Sequence, residues 1–213
     1  MTYLHALIDD PAIPVVLRTT VTSPFGRKVR MALHVLGLTD KVTLEPADTL
    51  NKDDSLHRQN PLGKMPCLLI GQEAFFDSHV IMEMLDGCSD HGLLPKQGLP
   101  RFRALTSARL ADGITDAALL VTYEGRFRDS SMPSARWLDH QRVKIRSALA
   151  VFEANPPDPY QVDLVTITLA ASLGYLDWRQ PLDWRADYPV LKNWLKQFGQ
   201  KNACWSATEA NKT

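Results

Sequence analysis

The sequence predicts a small α/β domain followed in series by an all-helical one. Three observations predict it. Apolar residues alternate between strand and helix periods in the order βαβ-ββα as far as Gly87. A stretch containing Gly92, Pro95, Gly98 and Pro100 then interrupts the chain. Beyond it, the apolar patterns are helical. The expected boundaries are an N-terminal arm at 1–13, the α/β domain at 14–91, a linker at 92–100 and the helical domain at 101–213.

Asp9, Asp10, Pro11 and Pro14 punctuate the arm, and Val15 to Thr19 reads as a strand. The helix from Pro24 places Val29, Ala32, Leu33 and Leu36 at helical spacing and stops at Gly37, a good left-handed C-terminal residue. Lys41 to Glu45 forms a second strand that Pro46 ends, so the first unit is a parallel βαβ crossover, expected to be right-handed. The charged segment Ala47 to Asn60 has no clear period and reads as loop with at most a short helix. Pro66 directly precedes the apolar run Cys67 to Ile70, and a cis Met65–Pro66 bond would make the turn. Gly71 and Gln72 form a hairpin turn into Glu73 to Phe76. Asp77 or Ser78 caps the next helix, which is expected to bury Val80, Ile81, Met84 and Leu85.

In the second half, helices are expected near Arg101 to Arg128 and Ser134 to Phe152, the latter with Leu138, Ile145, Leu149 and Phe152 on one face. Pro156, Pro157 and Pro159 break the chain. Asp163 then caps the almost wholly apolar Leu164 to Leu176, which should be the centre of this half. A final helix starts at Pro189 and buries Leu191, Leu195 and Phe198.

Of the 213 residues 45% are hydrophobic, enough for a sizeable core. Lys plus Arg and Asp plus Glu balance at 24 each, so no net field draws the chain to nucleic acid or an anionic membrane. The first ten residues lack the basic opening and apolar run of a secretion signal, and Leu164 to Leu176 is too short to span a bilayer. A cytoplasmic location is expected. Cys67, Cys88 and Cys204 are odd in number and unpaired in spacing, which fits a reducing compartment and argues against a disulfide framework or a zinc site. Cys67, among apolar neighbours, reads as buried and inert.

Chemistry concentrates between Thr22 and Arg30. Ser23 stands at the cap position and Pro24 at the first helical position, where its missing N–H costs nothing. Capping alone accounts for Ser23, but it leaves Arg27, Lys28 and Arg30 unexplained, because the helix dipole already makes that end positive. An anion is therefore expected there: a carboxylate, a phosphate or a thiolate. Ser23 and Gly26 leave no thiol pair for dithiol exchange. Asp112 and Asp116 share a helix face without a third metal ligand, and an ion pair with Arg109 or Arg103 is one account of Asp112.

With Ser23-Pro24-Phe25-Gly26 after the first strand, Pro66 before the third and Asp77-Ser78 before the next helix, the chain resembles the cytosolic glutathione S-transferases, in a bacterial-type form with serine in the motif. Ala111 to Asp116 and Leu173 to Asp177 resemble the second domain of that family. The resemblance implies a thioredoxin-like N-terminal domain and a helical C-terminal domain. It implies a homodimeric transferase that uses glutathione as co-substrate against a small electrophile, with no metal or redox cofactor. Ser23 would be the catalytic hydroxyl. Glutathione would be bound by Phe25, Lys64, Met65, Pro66, Asp77 and Ser78: Met65 through its backbone to the cysteinyl unit, Asp77 and Ser78 at the γ-glutamyl end, and Lys64 at the glycyl carboxylate. Asp112 would reach the tripeptide of the partner subunit. Phe25, Tyr123 and Trp205 are candidate walls for the second substrate. Isomerisation, dehalogenation or peroxide reduction would use the same residues, and a non-catalytic binding module of this fold is the reading of a different class. The family's helical-domain cap pairs a hydroxyl residue with an aspartate three later; here Asp163 and Thr166 exchange the types, so the reciprocal side-chain bond is expected to be lost.

Overall fold

The apolar run Val15–Arg18 is strand β1, the centre of the first half in the computed structural model, which describes Ile8 and residues 10–89, 92–129 and 134–209. Most of the expected arm lies outside the described residues. Helix α1 (Pro24–Val35) follows and ends with Gly37 at φ +67°, as its position after the apolar stripe requires. A short 3-10 turn (Thr39–Lys41) occupies the start of the segment expected as a strand, so β2 is only Thr43–Glu45. The loop Ala47 to Asn60 contains one short helix, α2 (Leu56–Gln59). Strands β3 (Cys67–Ile70) and β4 (Glu73–Phe75) form the expected hairpin, and α3 (Ser78–Gly87) closes the half.

The four strands lie in the order β2-β1-β3-β4. β1 runs parallel to β2 and antiparallel to β3, with Leu17 opposite both Leu44 and Leu68, and β3 runs antiparallel to β4. Side chains alternate across a sheet, so Cys67 and Leu69 share a face, and with Ala47, Leu56, Met65, Ala74 and Phe76 they build one apolar cluster. Leu68 and Ile70, on the opposite face, are also buried. This is a four-stranded mixed sheet with helices, the thioredoxin-like arrangement. On α3 the buried stripe is Ser78, Ile81, Met82 and Leu85, at positions i, i+3, i+4 and i+7, which shares Ile81 and Leu85 with the expected set. Val80 is exposed and Met84 half-buried, because the stripe begins on a polar residue that an apolar pattern does not count.

Arg18 explains why the long loop lies against this sheet. It is a buried strand residue whose guanidinium donates to Ser55 Oγ at 2.5 Å, Gln59 Oε1 at 2.6 Å and Asp54 Oδ1 at 2.7 Å. The backbone N–H groups of Asp48 and Leu56 also donate to Asp54. Those backbone bonds, and then Arg18, pull its carboxyl down to about 2.

The second half consists of α4 (Gly98–Phe127), α5 (Ala135–Ala154), α6 (Leu164–Arg179), α7 (Trp184–Asp187) and α8 (Pro189–Lys201). α4 packs on both α5 and α6, and α6 carries buried residues on all sides, as its apolar composition predicts. At its start Asp163 accepts from the Thr166 N–H, and the Asp163 N–H donates to Thr166 Oγ1, each at 2.9 Å. The reciprocal bond expected to be lost is therefore present, because a threonine hydroxyl three residues into a helix accepts from the cap backbone as a carboxylate does. The helix at Pro189 buries Leu191, Leu195 and Phe198 but is not the last: α9 (Ala203–Ala207) follows it.

Two compact units result. One holds the chain up to Lys96 together with the segment from Cys204 onward, and the other is Gln97–Ala203. The last helix thus belongs with the α/β unit, although its sequence position groups it with the helical half.

Candidate active site

Ser23 is buried at the start of α1 with an extended backbone, and its Oγ accepts from the Gly26 N–H at 3.1 Å. Capping is thus real. It uses an acceptor lone pair and leaves the hydroxyl hydrogen, which has no acceptor among the described residues. Gly26 is required by close approach: a Cβ there would lie 1.9 Å from Thr19 Oγ1. The loop before the cap is tied back to β3. Thr20 Oγ1 lies 3.0 Å from Thr22 Oγ1 and donates to the Met65 sulfur at 3.4 Å, and the Ser23 N–H donates to Thr20 O at 3.2 Å.

The Met65–Pro66 peptide is cis, and Pro66 is buried. No described residue hydrogen-bonds the backbone N–H or C=O of Met65, which leaves both groups to an incoming chain. The turn ahead of it is built by Asn60, a buried side chain whose Nδ2 donates to Lys64 O at 2.8 Å and whose Oδ1 accepts from the Leu62 N–H at 3.0 Å. Lys64 itself is exposed. Met65 and Phe76 pack on the same apolar cluster, so the cis turn and the entry to α3 share one side of the sheet. There Asp77 is exposed and caps α3 through Oδ1 to the His79 N–H at 3.0 Å, while Ser78 is buried at the first helical position. An open helix start of this kind suits a carboxylate.

Two of the α1 cations reach the end of the described chain. Arg27 stacks on the Trp205 ring, with its guanidinium carbon 3.8 Å from the centroid, and donates to Trp205 O at 3.1 Å and Thr208 Oγ1 at 3.4 Å. Arg30 is buried, which lowers its pKa, and its Nη2 donates to Thr208 O. Lys28 is buried, 5.9 Å from the Phe25 ring. An indole face, a hydroxyl and two carbonyl oxygens are thus partners of the two arginines. Asp112 is also buried and accepts from Arg109 Nη1 at 3.1 Å, which is the ion-pair account of that residue. Tyr123 packs edge-on against Phe127 at 5.3 Å. Cys67 is fully buried, and burial pushes its thiol pKa up, so it is no nucleophile.

Residues 22–88 match the glutathione S-transferase N-terminal domain family. The uncharacterized GST-like protein YibF of Escherichia coli K12 is 36% identical over 179 residues, which cover 80% of this chain and 86% of that one. The chain belongs to the glutathione S-transferase superfamily. Among solved structures, a glutathione transferase family member from Pseudomonas fluorescens with bound glutathione is 40% identical, with a TM-score of 0.86 over 92% of this chain and 98% of the other. A transferase from Methylobacillus flagellatus with glutathione bound is 29% identical, with a TM-score of 0.82 over the same shares. No helix among the described residues of this chain is long and apolar enough to cross a membrane.

Two residues of this superfamily member escaped the sequence reading. Asn60 carries a signal, since an asparagine before Pro-Leu-Gly is a side-chain-to-backbone turn former. Thr20 carries none: its contact is with a sulfur 45 residues away.

Proposed function

We propose that this chain is a glutathione transferase that ionises the glutathione thiol with Ser23 and adds the sulfur to a small electrophilic carbon. The tripeptide would lie extended along Met65, pairing with the free N–H and C=O of that residue as a strand would. Its γ-glutamyl carboxylate would meet the start of α3 at Ser78, with the Asp77 carboxylate facing the ammonium. The observation that carries the reading is the Ser23 hydroxyl, whose oxygen is fixed by the Gly26 N–H at 3.1 Å and whose hydrogen is unspent.

A hydrogen bond donated to a thiolate stabilises the charged form and lowers the thiol pKa. From a free value near ~8.5, a drop of about two units, worth about 2.7 kcal/mol, makes the thiol mostly thiolate at neutral pH. The thiol proton passes to solvent and the anion forms a C–S bond at the electrophilic carbon. In a substitution the C–X pair departs with the leaving group; in an addition the π pair moves onto the conjugated acceptor atom, which takes a proton from solvent. The cap bond orients the hydroxyl before the ligand arrives, so little reorganisation is needed at the moment of reaction. Support for the ligand comes from the Pseudomonas relative, which binds glutathione at 40% identity. A homodimer is the expected assembly, and light scattering reads it directly.

The test is calorimetric titration with glutathione followed by turnover of a panel of electrophiles. Saturable binding at or below millimolar concentration, with a bound thiol pKa under its free value, is the expected result. Absence of saturable binding ends the reading.

A further inference from the structure

Arg27 and Arg30 project from the helix that Ser23 caps and end on the last described turn of the chain, 178 residues away. A guanidinium is best held by a flat face and by acceptors in its own plane. Trp205 supplies the face and a carbonyl, Thr208 supplies a hydroxyl to Arg27 and a carbonyl to Arg30, and Thr208 is itself buried. All of these groups lie in the same compact unit.

Position along α1 gives this anchorage a consequence. The Arg27 N–H donates to Ser23 O at 2.8 Å, so the two residues stand one turn apart on one face of the helix. Helical side chains lean toward the N-terminus, so the Ser23 end of α1 is within reach of an arginine at position 27. An arginine left in water would spread that charge over many rotamers, whereas here it is fixed in one place.

Resting on the function proposed above, we propose that Trp205 and Thr208 are positioning residues: they hold the Arg27 guanidinium on the Ser23 face of α1, where its charge joins the hydroxyl in keeping a bound thiol ionised. The competing role is simple anchorage of the chain end to α1. The two roles differ in one readout, the ionisation of bound glutathione. Anchorage alone changes how much protein is folded, not the proton affinity of a sulfur in the folded fraction.

The experiment follows thiolate absorbance of bound glutathione against pH in the full chain and in Trp205→Leu, Trp205→Phe and Thr208→Val. Trp205→Leu removes the stacking face and is expected to raise the thiol pKa by about half a unit or more, about a threefold loss of thiolate below the pKa. Trp205→Phe keeps a π face and is expected to stay within about 0.2 unit of the parent. Thr208→Val removes the acceptor at Arg27 Nε and shifts the pKa in the same direction, which keeps the test decisive should Trp205→Leu not fold. A lower melting temperature with an unchanged thiol pKa in Trp205→Leu or Thr208→Val overturns the positioning role while leaving the proposed function intact. A parent chain that binds no glutathione overturns both.

Discussion

The starts of α1 and α6 are built from the same materials and end in opposite states. Each has a side-chain oxygen at the cap position accepting from a backbone N–H three residues on, Ser23 from Gly26 and Asp163 from Thr166. At α6 the exchange is closed, because the Thr166 hydroxyl accepts in return from the Asp163 N–H. At α1 it stays open, because position 26 is a glycine with nothing to return and the Ser23 hydrogen meets no described acceptor. The start of α3 is a third case, where Asp77 Oδ1 accepts from the His79 N–H, the other carboxylate oxygen takes no part in that cap bond, and the buried Ser78 stands beside it. A cap whose bonding capacity is exhausted can only stabilise its helix; one that keeps a donor can also act on a ligand.

Four variants test that contrast. Ser23→Ala should lower turnover about 100-fold, equivalent to ~2.7 kcal/mol of lost charge stabilisation, with glutathione affinity held within about threefold. Steady-state kinetics beside calorimetry would show it, and unchanged turnover removes Ser23 from the mechanism. Gly26→Ala should destabilise the fold by about 2 kcal/mol in urea unfolding, because the new methyl group collides with the buried Thr19 side chain. Asp77→Ala combined with Ser78→Ala should weaken glutathione binding about tenfold, ~1.4 kcal/mol, without moving the bound thiol pKa; an unaltered dissociation constant counts against the role of α3. Asp163→Ala should cost about 1 kcal/mol of stability and leave turnover per folded molecule as it was. A large change in that turnover would erase the distinction between closed and open caps.

Features set by neighbours in the chain were legible before any coordinates. The cap at Ser23, the stop at Gly37, the Gly71-Gln72 hairpin, the turn at Pro66 and the apolar helix after Asp163 all depend on a few adjacent residues and on backbone sterics. The same reasoning failed where a pattern counted only apolar residues. Val80 was expected inside and lies exposed, while Ser78 opens the buried stripe of α3. It also misjudged Thr166, since a hydroxyl closes a capping box as well as an acid does.

Beyond the Arg109–Asp112 pair one helix turn apart, the destinations of long side chains were not legible. Arg27, Lys28 and Arg30 pointed locally to an anion; for Arg27 and Arg30 the structure adds a ring, a hydroxyl and carbonyls 178 to 181 residues along the chain. Arg18, read only as a strand residue, binds together a loop 36 to 41 residues away. The residues taken in chain order were enough for the succession of strands and long helices and for the chemistry offered at their caps, because short-range dihedral and hydrogen-bond rules fix these. The short helices Trp184–Asp187 and Ala203–Ala207 were not among them. Only the tertiary structure decided which cation meets which acceptor and that the final helix rejoins the first unit, because a flexible side chain takes its partner from packing, and packing is a property of distant segments brought together.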